Sequence, residues 1–397
     1  MSYLIFVLKE RRLLSFGLSL TFFSSFGQTF LIALFVPYFL PAFELSNAAF
    51  GSIYSVATLA SALALPWLGQ YIDRMPIRRY SIFVAVGLVA ACLLVAISMH
   101  IAILFLGIMI LRLAGQGLSG HTAHTAMARY YDHQRGKALS VSSLGYPIGE
   151  GILPLLIAGL LTLVHWRTAW GIIALLVAVI LIPLIYRLVG KTEQEREIPI
   201  SDKESGGAIH QYMEIMRQPK FFYITPAMLM PPFWITGLFL YQISIAGDFG
   251  WSTALIASAF MAFAASRIVF SIVVGPWIDR YSARRLYPFY QIPMILAMMV
   301  PIFWSGSFSA FLYMILLGVA MGISGNIKSA LFAELYGTEI VGTVRSLYST
   351  VMIVATAMSP FIFGFMLDLQ TPIENILWMG VISSLLAGIL SLKVLRE

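Results

Sequence analysis

GQYIDRMPIRR, residues 69–79, returns as GPWIDRYSARR, residues 275–285, at an offset of 206 residues. Each copy follows a long apolar run and sets a glycine, an aspartate and several arginines at its end. GLSG (117–120) comes back as GISG (322–325), and Pro154 is matched by Pro360, at nearly the same offset. Three coincidences at one spacing imply a duplicated unit, so the chain reads as two related halves.

The duplicated unit belongs in a membrane. Of the 397 residues 59% are hydrophobic and 11% charged, and the mean hydropathy is +0.87. A soluble chain carries about a quarter charged residues. A helix of about 20 apolar residues crosses a bilayer core. The sequence predicts twelve such spans, at about 13–40, 47–70, 80–99, 101–128, 137–162, 168–188, 220–246, 252–277, 286–304, 308–334, 340–367 and 373–395. Several are long enough to require tilt or ends projecting into water. Gly27, Pro37, Pro66, Pro154 and the Pro231-Pro232 pair fall inside spans, where neighbouring helices satisfy the freed backbone groups. The expected architecture is an all-α membrane protein of twelve transmembrane helices in two pseudo-symmetric six-helix bundles, 1–188 and 220–397. Between them, 189–219 contains KTEQEREIPISDKESGG (191–207), polar enough to read as a cytoplasmic linker.

A net charge of +7 raises the question of a nucleic-acid partner, and the placement of the charge answers it. Lys9, Arg11 and Arg12, then Arg74, Arg78 and Arg79, then Arg129, Arg135 and Lys137 flank one side of the successive spans. Arg187, Lys191, Arg196, Lys203, Arg217 and Lys220, then Arg280, Arg284 and Arg285, and finally Lys393 and Arg396 continue the same side, and Arg167 alone falls in a loop of the other. Basic residues mark the cytoplasmic face, so both termini are expected there, in a multi-pass protein of the inner (plasma) membrane with no nucleic-acid partner. The first run is too long for a signal h-region and has no small-residue cleavage site near its end. Cys92 is the only cysteine, which excludes an intrachain disulfide and a thiolate metal site.

Against this apolar background a few ionisable residues stand out. Arg112, Arg267 and Lys328 lie deep in spans, Arg345 lies near an inner end, and Glu150 is the clear mid-span carboxylate. Charge inside a bilayer is costly and marks functional sites. Arg112 sits about eleven residues from the outer end of its span and Glu150 about twelve from the outer end of the next, by helix counting at the same depth. A salt bridge or shared proton between them is expected. His121 and His124, three residues apart on the inner half of the fourth span, share a face and are of the type suited to carrying protons. They have no evident third ligand, so a metal site is not expected. Three cations against one carboxylate favour an anionic substrate. Gly115-Gln-Gly117-Leu-Ser-Gly120 matches a GxGxxG string, but a dinucleotide fingerprint needs a preceding strand. Inside a span, small residues serve close helix packing. Neither cofactor nor enzymatic chemistry is expected.

These residues together resemble the major facilitator superfamily over almost the whole chain. Gly69, Asp73, Arg74, Arg78 and Arg79 match its loop signature between spans two and three, with Met75-Pro76 departing from the usual small residues. Arg112, Gln116 and Gly117 match its fourth-span signature. The resemblance implies alternating access by a monomer, with substrate near the midplane between the repeats. It assigns a conformational latch to Gly69, Asp73, Arg74, Arg78, Arg79 and Arg129 in one half and to Gly275, Asp279 and Arg280 in the other. Asp73 would face the start of span eleven, and Asp279 span five. It also makes Arg112, Arg267, Lys328, Asn326, Gln28, Tyr241, Gln242 and Tyr348 substrate-binding candidates. Glu150 with His121 or His124 would carry proton coupling. An arginine in span eight is similar to the monocarboxylate and oxalate porters. The expected function is therefore proton-coupled symport of a small organic anion, with the substrate, protons and the lipid bilayer as partners. The alternative is proton-coupled efflux of lipophilic drugs. Gly136, Gly145 and Gly149 partly match the fifth-span motif of such antiporters, but Glu150 and Leu153-Pro154 replace its Pro and Gly-Gly.

Overall fold

The computed structural model describes residues 3–131, 134–190, 208–304, 306–337 and 339–396. Eleven helices among them are long and apolar enough to cross a membrane, and a bent pair, Arg11–Gly27 with Thr29–Ala42, completes a twelfth span. Large apolar side chains such as Leu63, Trp67 and Ile272 remain at least 70% exposed, the outward-facing surface that lipid covers.

The first span, expected over about 13–40, is broken in the middle. Its chain tightens through Ser24–Gly27, Gln28 adopts an extended conformation (φ −87°, ψ 151°), and the helix restarts at Thr29. The two pieces meet at 44°. In the fourth span, Leu111–Ser119 widens to a π-helix, in which the Ser119 hydroxyl donates to the carbonyl five residues back, Ala114 (2.7 Å). Such widening is frequent at functional sites.

The chain forms two compact units, residues 1–45 with 52–201 and residues 46–51 with 202–397. In the first, Trp170 packs on Phe35 (ring centroids 4.6 Å) and Trp166 on Phe39 (5.2 Å). Spans one and five approach through glycine: a Cβ on Gly145 would strike Thr21 and the Leu18 carbonyl, and one on Gly149 would strike Ser25. Two of the glycines that resemble an efflux motif are thus packing glycines, four residues apart on one face.

The second unit is built around Tyr287, Tyr290, Phe332, Leu331, Leu347 and Tyr348. Of the segment read as a linker, 191–207 lies outside the described residues, whereas Ala208–Arg217 forms an amphipathic helix. Ile215 buries itself in this core, and the Tyr212 hydroxyl donates to Ser346 Oγ (2.8 Å).

Candidate functional site

Arg112 leaves the π-helical part of span four and is 4% exposed. Its Nη1 donates to the Gly27 carbonyl (3.1 Å) and Thr29 Oγ1 (3.4 Å), and its Nε to Thr58 Oγ1 (3.2 Å). The guanidinium lies over the Tyr54 ring at 5.0 Å, and the Tyr54 and Thr29 hydroxyls share a hydrogen bond of 2.8 Å. The break in span one makes this possible. With Gln28 extended, Leu31 bonds to the Gln28 carbonyl, leaving the Gly27 carbonyl to Arg112. Gly27 and Gly115 touch backbone to backbone, so a Cβ on either would overlap the other span.

The ion pair expected between Arg112 and Glu150 is replaced by this neutral shell, because the opened first span offers a carbonyl and a hydroxyl at the right depth. Glu150 is 9% exposed on span five. One turn before it, Tyr146 packs edge-on against His124 (6.1 Å), whose Nε2 shares a hydrogen bond with Ser143 Oγ (3.2 Å). His121 is exposed, beside Gly69. The two histidines therefore have different surroundings. Gln28 is half-buried at the break itself.

In the second unit Arg267 is half-buried on span eight, and Gly322 of span ten packs against its backbone carbonyl. Asn326, exposed on the same tenth span, donates to the Ser271 carbonyl one turn beyond Arg267 (2.7 Å). Lys328 donates instead to the Met228 carbonyl of span seven (3.1 Å) and lies 5.5 Å from the Tyr290 ring centroid. Tyr348 is 1% exposed and stacks on Phe332 (4.9 Å). This places it in the core, where the expectation had it facing substrate. Tyr241 directs its hydroxyl at the carbonyls of Asn47 (2.8 Å) and Pro360 (3.0 Å), and Gln242 beside it is 2% exposed. Asp368 accepts from the backbone amides of Asn47 (2.9 Å) and Ala48 (2.8 Å), a role with no signature in the sequence.

The repeated loops do different work in the two units. Asp73 pairs with Arg129, which also donates to the Ile72 carbonyl (3.0 Å). Arg78 donates to the Val189 and Tyr186 carbonyls and covers the Tyr186 ring at 4.7 Å, fastening span three to the end of span six. Arg74 donates to Gln70 Oε1 (3.3 Å), and Arg79 is exposed. In the second unit the carboxylate comes from span ten, where Glu334 accepts from the amides of Ala283 (2.7 Å) and Arg284 (2.9 Å). Asp279 and Arg280 are exposed, and Gly275 faces open space.

A family model described as Major Facilitator Superfamily matches residues 18–245 and again 232–397. No curated protein matches the chain. Among solved structures, the nucleoside transporter NupG is similar, at 14% identity and a TM-score of 0.73, covering 98% of each chain. A bacterial homolog of the human lysosomal transporter Spinster, in an inward-facing and occupied conformation, is 14% identical with a TM-score of 0.72, covering 100% of this chain and 97% of that one. At such identity these likenesses show the fold.

Proposed function

The chain belongs to the Major Facilitator Superfamily of membrane transporters, and from that premise we propose that it carries a small organic anion by proton-coupled symport and alternating access. The observation that carries this reading is the shell of Arg112: a guanidinium 4% exposed whose partners among the described residues are two threonine hydroxyls, one carbonyl and one ring. A buried charge ordinarily takes an opposite charge as partner. Here neutral groups orient the positive charge and no carboxylate is paired with it among the described residues, which favours a substrate that brings the negative charge. Among the described residues Nη2 makes no hydrogen bond, and it is the donor left for the substrate. Arg267 supplies a second cation, Gln28 and Asn326 supply polar contacts, and Glu150, with His124 or His121, carries the proton. The protein works as a monomer in the inner membrane with both termini cytoplasmic.

The test is a thermal-shift screen of purified protein against monocarboxylates, dicarboxylates and lipophilic cations, followed by uptake into proteoliposomes under an imposed proton gradient. A ligand that binds the folded state raises the midpoint. Stabilisation by a carboxylate that disappears in Arg112→Gln supports the reading, and stabilisation by lipophilic cations alone overturns it.

A further inference from the structure

Span seven runs as one helix, Pro219–Leu240, through the Pro231-Pro232 pair. Proline has no N–H, so each one inside a helix strands the carbonyl four residues earlier. Pro231 therefore strands Ala227, and Pro232 strands Met228. Both residues are fully buried, where water cannot serve as donor, and an unsatisfied buried carbonyl is costly. The two carbonyls are met by two side chains from two other spans. The Tyr290 hydroxyl of span nine donates to Ala227 (2.5 Å), and Lys328 Nζ of span ten donates to Met228 (3.1 Å). Each donor falls on the carbonyl that one of the two prolines has freed. The Lys328 ammonium lies near the Tyr290 ring at 5.5 Å, and Tyr287, stacked on Tyr290 at 5.1 Å, donates to the Ile224 carbonyl on the same helix face (2.7 Å).

We infer that Tyr290 and Lys328 are dedicated replacements for the hydrogen bonds removed by Pro231 and Pro232, so that Lys328 positions span seven and is not a substrate contact. This inference does not rest on the identity or charge of the substrate. It reassigns one of the three mid-span cations from substrate chemistry to backbone chemistry. The lysine suits the task because its long stem carries an ammonium to a neighbouring helix through apolar packing. Its aromatic neighbour offers an electron-rich face and no carboxylate.

The pairing is residue-specific, and that makes it testable by cross-rescue in the full-length protein. Replacing Pro232 by alanine restores the amide that Met228 lacks, and replacing Pro231 restores the one Ala227 lacks. Thermal unfolding and hydrogen–deuterium exchange over peptides covering 222–236 would be measured for Lys328→Met, Lys328→Arg and Tyr290→Phe, each alone and with Pro231→Ala or Pro232→Ala. Lys328→Met is expected to lower the midpoint and speed exchange, with Lys328→Arg retaining most of the protection. Pro232→Ala should restore Lys328→Met and leave Tyr290→Phe unrestored, and Pro231→Ala should do the reverse. Should Lys328→Met yield no folded protein, recovery of folded protein in Lys328→Met/Pro232→Ala is the supporting result. Rescue by the wrong proline, rescue by neither, or a Lys328→Met protein as stable and protected as the wild type overturns the inference.

Discussion

Arg112 Nη1 donates to the Gly27 carbonyl at 3.1 Å, joining the π-helical part of span four to the break in span one. The bond belongs both to the fold and to the site. It satisfies a carbonyl that the extended Gln28 leaves exposed, and it fixes the direction of a guanidinium in an otherwise neutral shell. Arg112→Leu should strand the Gly27 carbonyl and the Thr58 hydroxyl at a cost of about 1–3 kcal/mol per buried polar group. Arg112→Lys keeps the charge but lacks the planar fork that reaches Thr58 and Gly27 together. Thermal unfolding should rank wild type above Lys and Lys above Leu, and carboxylate stabilisation should be weak in Lys and absent in Leu.

Gly27 and Gly115 offer a sharper steric test. A methyl group on Gly27 would overlap the Leu111 carbonyl and the Gly115 backbone, and one on Gly115 would overlap Gly27. Because the obstruction is backbone, relief requires the spans to separate, and overpacking of this kind costs about 1–3 kcal/mol or more. Gly27→Ala and Gly115→Ala should each lower the unfolding midpoint. Gly275→Ala, in open space, should leave it unchanged despite its place in the repeated motif. Thermal melts of the three variants check this.

Much of the fold was legible because a bilayer imposes it. Apolar length, the one-sided placement of Lys and Arg and the repeated loops pointed to twelve spans in two halves, and the family match and the helices agree. The break at Gln28 was less legible: Gly27 marked a weak point, but the extended backbone depends on span four pressing against it. The π-helix at Leu111–Ser119 left no signature beyond its glycines. Arg112 stood out as an intramembrane charge, but its partners Thr29, Tyr54 and Thr58 are ordinary in composition and were found by geometry alone. Pro231-Pro232 announced two orphaned carbonyls without saying which distant side chains would reach them. Tyr348 shows the opposite failure, since a tyrosine on an apolar helix reads alike whether it faces a cavity or a core.

The Asp73–Arg129 pair is expected to matter for motion more than for stability. The two side chains are 55% and 25% exposed, and ion pairs in such settings contribute about 0–1 kcal/mol. A double-mutant cycle of Asp73→Asn and Arg129→Gln, read by unfolding midpoint, should give a coupling below about 1 kcal/mol. If the loop acts as a latch, transport in proteoliposomes should fall in both single variants while their melts remain close to wild type.

Tyr348 is predicted to be a packing residue. Its hydroxyl meets those of Tyr336 (3.4 Å) and Thr225, while its ring stacks on Phe332. Tyr348→Phe should therefore cost only about 1 kcal/mol, the worth of a hydrogen bond, and leave ligand-induced stabilisation near wild type. Tyr348→Ala opens a cavity and should cost about 3–5 kcal/mol, the range for removing a large aromatic from a core. A thermal-shift series with and without the stabilising ligand separates the two effects.

Asp368 ends its own helix, where a negative charge is unfavourable, yet its two oxygens accept from the amides of Asn47 and Ala48 and from Asn47 Nδ2 (3.0 Å). Those amides open the helix Asn47–Gly69, so the carboxylate meets both unsatisfied donors and the positive end of the helix dipole. Ser46 contributes a weaker cap, accepting from the Ala49 amide at 3.2 Å. Asp368→Asn keeps the shape but turns one acceptor into a donor facing other donors. It should lower stability by about 1 kcal/mol, as for loss of a helix cap, and Asp368→Ala by a similar amount. Ser46→Ala should cost less, because Asp368 still holds the first two amides. Unfolding midpoints ranked Ser46→Ala above Asp368→Asn would establish that order, and the reverse ranking would show that the serine carries the cap.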